Sequence, residues 1–221
     1  MAIKKRAVTD EQRQERRQVL LEAAWALFQE TPYEKINIVD VAQSAGLAKG
    51  TVYLYFTTKE ALFLAVQAQQ LAEWFDALEE ELSGLGGKGD APQVAGIVCG
   101  TLSRRPALTR LFAILHTILE QNIDYPTALA FKQMLLERIT CLGAALEACL
   151  PILQTGQGVQ AAMWIYTFLL GLQQLTNPAP LVREVIVSEP GMEVFAFDFC
   201  RECNAAVTAL LSGLENRRNS V

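Results

Sequence analysis

The residues best equipped to meet another molecule lie in the run Lys49-Gly-Thr-Val-Tyr-Leu-Tyr55. On a helix with Val52 and Phe56 facing inward, four residues apart, Gly50 and Leu54 face outward. Thr51 and Tyr55 then lie on one flank, and Lys49 and Tyr53 on the other. Those types suit a major groove of DNA. Glycine lets the backbone approach closely, threonine meets base edges or a thymine methyl, and tyrosine hydroxyls and lysines bond phosphate oxygens. Two tyrosines and a leucine exposed on one short helix would otherwise need a different partner surface.

Other chemistry is sparse. Cys200-Arg-Glu-Cys203 has the spacing of redox and metal pairs, but it falls inside an expected helix with no two further ligands close in sequence. Two ordinary helix cysteines are the competing reading, and Cys99, Cys141 and Cys149 read as core thiols. Five cysteines beside one histidine suit a reducing compartment with no disulfide framework. There is no phosphate-cradling glycine loop, no metal-ligand helix pair and no nucleophile elbow, so neither catalysis nor a cofactor or metal is expected. His116 sits in an apolar helix, where a core histidine satisfied by a hydrogen bond is the simpler account.

The elements that must position these residues are helical. Apolar residues recur three and four apart and strand signals are nearly absent, so the chain is expected to be all-α. A first helix is expected from Thr9, capped by its hydroxyl with Gln12, to about Glu30, burying Leu20, Ala23, Ala24 and Leu27. After a break at Thr31-Pro32-Tyr33, Asn37 caps a short helix that turns Ile38, Val41 and Ala42 inward and ends at Gly46. A helix from Lys49 to Phe56 follows. Thr57 or Thr58 then caps a long helix from Lys59 to about Leu82, the pair Thr57 and Glu60 having capping-box spacing. The breaker-rich segment from Ser83 to Pro92 reads as a flexible connection. Further helices are expected at about 93–103, 107–121, 125–149, 157–176 and 192–214, with an unusually apolar loop from Asn177 to Gly191 that packs on the domain or on a partner.

The charge is −5 overall, yet residues 1–60 hold nine Lys/Arg against eight Asp/Glu, so the front end is the more basic part. Lys4, Lys5 and Arg6 form an arm that could enter an adjacent minor groove or remain a solvated terminus. No secretory signal is readable, and the longest apolar run, Ala161 to Leu172, is shorter than the roughly 18 residues a membrane span needs. A cytoplasmic protein without a membrane partner is expected.

The run Ala45-Gly-Leu-Ala-Lys-Gly-Thr-Val-Tyr-Leu-Tyr-Phe56 followed by Lys59-Glu-Ala-Leu62, with Ala23-Ala-Trp-Ala-Leu-Phe28 and Ile36-Asn-Ile-Val-Asp-Val-Ala42 before it, resembles the signature of TetR/AcrR-family regulators. The resemblance covers about residues 9–66. It implies a helix-turn-helix DNA-binding domain at 1–57 and a helical effector-binding and dimerisation domain at 58–221. Asn37, Lys49, Gly50, Thr51, Tyr53, Leu54 and Tyr55 are then placed to meet DNA, with Lys59 anchoring phosphate at a helix N-terminus. Ala48 and Val39 depart from the serine and the polar residue usual at those places. Base reading is therefore expected to rest more on the second helix and on the N-terminal arm than on the first helix.

The same resemblance implies a homodimer on a palindromic operator, formed by the last two helices. Trp164, Phe168, Gly171 and Leu175 recur on one side of the penultimate helix and Ala206, Leu210 and Gly213 on the last, with Phe168, Gly171, Leu175, Ala206 and Leu210 the chosen interface contacts. It also implies a small-molecule effector, for which Phe112, His116, Met134 and Trp164 are the candidate contacts. A repressor released by its effector is the expected function. A thiol-redox or metal-responsive regulator through Cys200 and Cys203, and a helical interaction module without DNA binding, are the alternatives.

Overall fold

The computed structural model describes residues 10–218, with side chains through Leu214. The Thr9 cap and the basic arm at Lys4, Lys5 and Arg6 therefore lie outside the described residues. All regular structure among those residues is helical, in two compact units. One comprises residues up to Ala68 together with His116–Phe131, and the other comprises Gln69–Leu115 and everything from Lys132 onward.

In the first unit, α1 (Asp10–Glu30) buries Leu20, Leu21, Ala23, Ala24 and Phe28. Phe28 meets Phe63 at 5.8 Å between ring centroids, and Tyr33 meets the same ring edge-on at 5.1 Å. Helix α2 (Ile38–Ser44) starts after Asn37, whose backbone amide donates to Asp40 Oδ2 at 2.9 Å, and turns Ile38, Val41 and Ala42 inward. Gly46 then takes a φ of 65°, which lets the chain turn sharply into α3 (Lys49–Tyr53). Helix α3 stops short of the expected Phe56. The last residues form a tight turn in which the amides of Leu54 and Tyr55 donate to the carbonyls of Thr51 and Val52. Helix α4 (Lys59–Ser83) is capped by Thr58, whose Oγ1 accepts from the amide of Ala61 at 3.0 Å. Thr57 is not that cap, and the Glu60 carboxylate reaches Tyr33 and Asn122 instead.

In the second unit, the segment read as a flexible connection is fastened. Asp90 caps α5 (Ala91–Ser103) in a reciprocal box with Gln93, and the Gly89 amide donates to the Cys149 carbonyl at 2.9 Å. Helix α6 (Pro106–Ile114) gives way to a wider π turn at Leu115–Leu119, where a single α-helix to 121 was expected. Helices α7 (Tyr125–Cys149) and α8 (Gln157–Thr176) have the expected spans. They cross where both backbones are bare, for a Cβ on Gly158 would stand 1.9 Å from the Gly143 carbonyl oxygen.

The apolar loop is a correction. Pro180–Ser188 forms a helix, α9, and buries none of its residues; Leu181 is 72% and Val187 81% exposed, so the run does not pack on its own domain. The last helix, α10 (Phe199–Arg218), starts seven residues later than expected, because Asp198 caps it by accepting from the Arg201 amide. It packs against α5 and α8, burying Cys203, Val207, Leu211 and Leu214. The buried core also holds one deliberate polar contact, Trp74 Nε1 donating to Thr101 Oγ1 at 3.0 Å.

Candidate nucleic-acid interface

Val52 is fully buried and Phe56 nearly so, and these two side chains fix how α3 and its closing turn face outward. Lys49 and Gly50 are exposed, Tyr53 is 47% and Leu54 74% exposed, and Thr51 and Tyr55 are half-buried. A Cβ at Gly50 would meet nothing within 4 Å, so the space over that backbone is open. Six of the seven residues from Lys49 to Tyr55 thus form one outward edge, held by Val52 among them and by Phe56 after them as anchors in the unit's core. Asn37 sits at the start of α2 and Val39, half exposed, on its outer side. Arg17 on α1 lies over the Phe56 ring at 5.3 Å, so its guanidinium is partly withdrawn from solvent.

Lys59 is placed less simply than the sequence implies. Its Nζ donates to the Tyr33 carbonyl at 2.5 Å and lies 3.8 Å from the centroid of the Tyr33 ring. Partial burial pulls its pKa below the usual lysine value, while Glu60 and Glu34 pull it back. The ammonium therefore braces the α1–α2 connection to the start of α4.

That brace belongs to a network that sequence reasoning missed. Tyr33 Oη donates to Glu60 Oε1 and Asn122 Nδ2 to Glu60 Oε2, each at 3.2 Å, while Thr58 Oγ1 donates to the Asn122 carbonyl at 2.9 Å. Burial first, and then Glu60, push the Tyr33 phenol above its ordinary pKa. The segment after the π turn is thereby tied to the residues that cap α4, in the same unit as α3. The only signal in the sequence was Glu60 at capping distance from Thr57, and it pointed to the wrong partner.

The four effector candidates have different surroundings. Phe112 is buried against Trp74 at 6.0 Å, Met134 is half-buried on α7, and His116 is exposed, its Nδ1 2.8 Å from Glu120 Oε2. Trp164 lies in an open groove on α8 and α10, beside Thr167, Phe168, Ala206, Ala209, Leu210 and Gly213. Five residues of the expected dimer stripe, Trp164, Phe168, Ala206, Leu210 and Gly213, thus share one surface. Gly171 and Leu175, also exposed, lie further along α8. A separate, nearly closed space between α4, α5, α7 and α8 is walled by Trp74, Phe75, Leu78, Ile139, Leu142 and Ile165, with Tyr166 as its polar member.

Among the described residues no group of three His, Cys, Asp or Glu is arranged to hold a metal ion, and no helix is long and apolar enough to cross a membrane.

Comparison with known proteins agrees with this architecture. Residues 20–66 match the family profile described as bacterial regulatory proteins, tetR family, and residues 68–218 match the tetracyclin repressor-like C-terminal domain. The fatty acid metabolism regulator protein of Bacillus subtilis is 24% identical over 144 residues, which is 64% of this chain and 67% of that protein. Among solved structures, the transcriptional regulator FadR from Bacillus subtilis in complex with stearoyl-CoA superposes with a TM-score of 0.51 at 19% identity, covering 89% of this chain and 98% of that one. FadR from Thermus thermophilus, a transcriptional repressor in complex with lauroyl-CoA, gives 0.54 at 20% identity, covering 89% and 94%. With both halves of the chain matched, it belongs to the TetR family of DNA-binding transcriptional regulators.

Proposed function

We propose that this regulator is a homodimeric repressor that reads a palindromic operator through Lys49 to Tyr55 and is released by a small-molecule effector that carries an alkyl chain. The observation that carries the reading is the protruding edge itself, with Lys49, Gly50, Tyr53 and Leu54 exposed over two buried anchors, Val52 and Phe56. Thr51 and the glycine backbone are the base-reading elements, and Lys49, Tyr53, Tyr55 and Lys59 the phosphate contacts.

The groove holding Trp164, Phe168, Ala206 and Leu210 supports the dimer. It is apolar, it opens outward, and a Cβ at Gly171 or Gly213 would meet nothing, so a second copy can approach closely. A twofold dimer relates its two copies of α3 by the same axis, which is why the operator should be palindromic.

The walls between α4, α5, α7 and α8 are almost wholly apolar, but the space they leave is about 10 Å³, so an alkyl chain enters there only when these side chains move apart. The names of the FadR relatives direct the choice of probe to long-chain acyl-CoA. Release requires that the effector bind one state more tightly than the other, and Thr58, Glu60 and Asn122 form the route by which the 116–131 segment bears on α4.

Selection of bound duplexes from a random pool tests the reading. An enriched palindrome is expected, bound by a dimer and weakened by long-chain acyl-CoA. A pool without any enriched sequence refutes the repressor, and an enriched site indifferent to an acyl-CoA series refutes the proposed effector class alone.

A further inference from the structure

The fold brings together thiols that the sequence keeps 101 residues apart. Cys99 on α5 is buried and its Sγ lies 3.7 Å from the Cys200 carbonyl oxygen; Cys200, in the first turn of α10, is exposed. The Ser103 hydroxyl is within reach of both sulfurs, 2.9 Å from Cys200 Sγ and 3.8 Å from Cys99 Sγ. Ser103 donates its own proton to the Cys99 carbonyl at 2.7 Å, so the hydroxyl oxygen accepts from the Cys200 thiol. Cys203, one turn further along α10, is fully buried.

Exposure assigns different roles to these thiols. Cys200 forms part of the wall of an open cleft with Leu102, Pro106, Phe197 and Phe199, where a small solute can reach it. Burial first, and then a hydrogen bond with Cys200, push the Cys99 thiol above its ordinary pKa, and burial pushes Cys203 up to about 12. Neither buried thiol opens the chemistry, but Cys99 is in position to finish it. Cys200 also lies on the core-facing stripe of α10 with Cys203, Val207 and Leu211, not on the side that bears Ala206, Ala209 and Leu210, so a partner on that groove would leave it accessible.

We propose that Cys200 and Cys99 form an oxidation site for hydroperoxides that closes into a disulfide between α10 and α5. The Cys200 thiolate attacks the outer oxygen of the hydroperoxide, the O–O bond breaks, and sulfenic acid and an alcohol, or water, result. The Cys99 sulfur then attacks that sulfenic sulfur, forming the S–S bond and expelling hydroxide, which takes the Cys99 proton and leaves as water. Two thiols lose two electrons in all, and the peroxide is reduced by two. The disulfide pins the first turn of α10 to α5. This assignment stands apart from the operator and the effector, since it requires neither.

Hydrogen peroxide applied to the purified full chain, followed by alkylation and a non-reducing tryptic map, tests it. Trypsin cuts after Lys88, Arg104 and Arg201, so Cys99, Cys200 and Cys203 fall on three different peptides. The expected product joins the Cys99 peptide to the Cys200 peptide and lowers free thiols from five to three per chain. Dithiothreitol reverses it. Cys203→Ser keeps the link and Cys99→Ser abolishes it, leaving Cys200 trapped as a sulfenic acid by dimedone. A Cys200–Cys203 link, a link between two chains, or five free thiols after treatment of the wild-type chain each overturn the proposal without touching the operator reading.

Discussion

Replacing Lys59 by methionine separates two roles that one ammonium carries. The substitution keeps most of the apolar stem and removes the charge that donates to the Tyr33 carbonyl and lies over the Tyr33 ring at 3.8 Å. A hydrogen bond to a charged group contributes about 1.5–3 kcal/mol net. A cation over an aromatic face adds about 0.5–1 kcal/mol at an exposed site. Lys59 is half-buried, so solvent screens both, and a total near the lower end, about 2 kcal/mol, is expected. For a chain of this size that is roughly a 4–8 °C loss in melting temperature. If the same ammonium also neutralises a phosphate, the slope of log affinity against log salt falls by about 0.9 per subunit, hence by about 2 in a dimer. Differential scanning fluorimetry reads the first effect and fluorescence anisotropy across a salt series the second. An unchanged melting temperature refutes the brace. A lowered melting temperature with an unchanged slope refutes the phosphate contact and leaves Lys59 a purely internal clamp. Lys59→Arg, which preserves the charge, should hold the slope.

Further substitutions probe other parts of the chain. Thr51→Ala is expected to relax base preference at one operator position while leaving the salt slope intact, as measured on single-base operator variants; uniform weakening across all variants would contradict base reading. Gly158→Ala drives a methyl into the Gly143 carbonyl, and a loss of about 3 kcal/mol or more in urea unfolding is expected, because backbone cannot move aside as a side chain can. Gln67 is fully buried with both amide atoms unpartnered, so Gln67→Met should raise stability by about 1–2 kcal/mol in the same assay. Alkaline pH should destabilise the fold. The buried Cys203 thiol, at about 12 against an ordinary 9.0, and Tyr33, also raised, keep their protons in the folded chain after the unfolded chain has lost them. The folded state then binds more protons, so stability present below pH 9 declines as pH rises towards 12; Cys203→Ala should flatten that limb.

What could be read from the sequence divides by the range of the contacts involved. The inward pair Val52 and Phe56, the buried Ile38, Val41 and Ala42, and the Gly46 turn are fixed within a few residues, and periodicity and turn chemistry disclose them. Helix α9 was missed for a related reason. Flanking proline and glycine marked Val185-Ile-Val187 as loop, whereas Pro180 serves as the first residue of a helix, where its missing amide costs nothing. The contacts that govern Lys59, Asn122 and Cys200 link residues 26, 64 and 101 positions apart, and no local pattern encodes them.

The same distinction separates the run from Lys49 to Tyr55, whose facing a local pattern discloses, from the walls of an internal space, which no local pattern discloses. A recognition segment must present a short continuous run to a groove of fixed shape, so its residue types and their spacing appear together in the chain. An internal space is walled by single residues from several helices, each of which looks like ordinary core. Trp164 shows the consequence: its long middle helix suggested both a pocket wall and the dimer stripe, and its place on α8 beside Phe168, across from Ala206 and Leu210, puts it on an outward groove. A large aromatic there offers more area to a second subunit than to a small ligand. Trp164→Ala should therefore weaken dimerisation in sedimentation measurements before it alters any effector response, and a normal dimer with a lost response would return Trp164 to the effector.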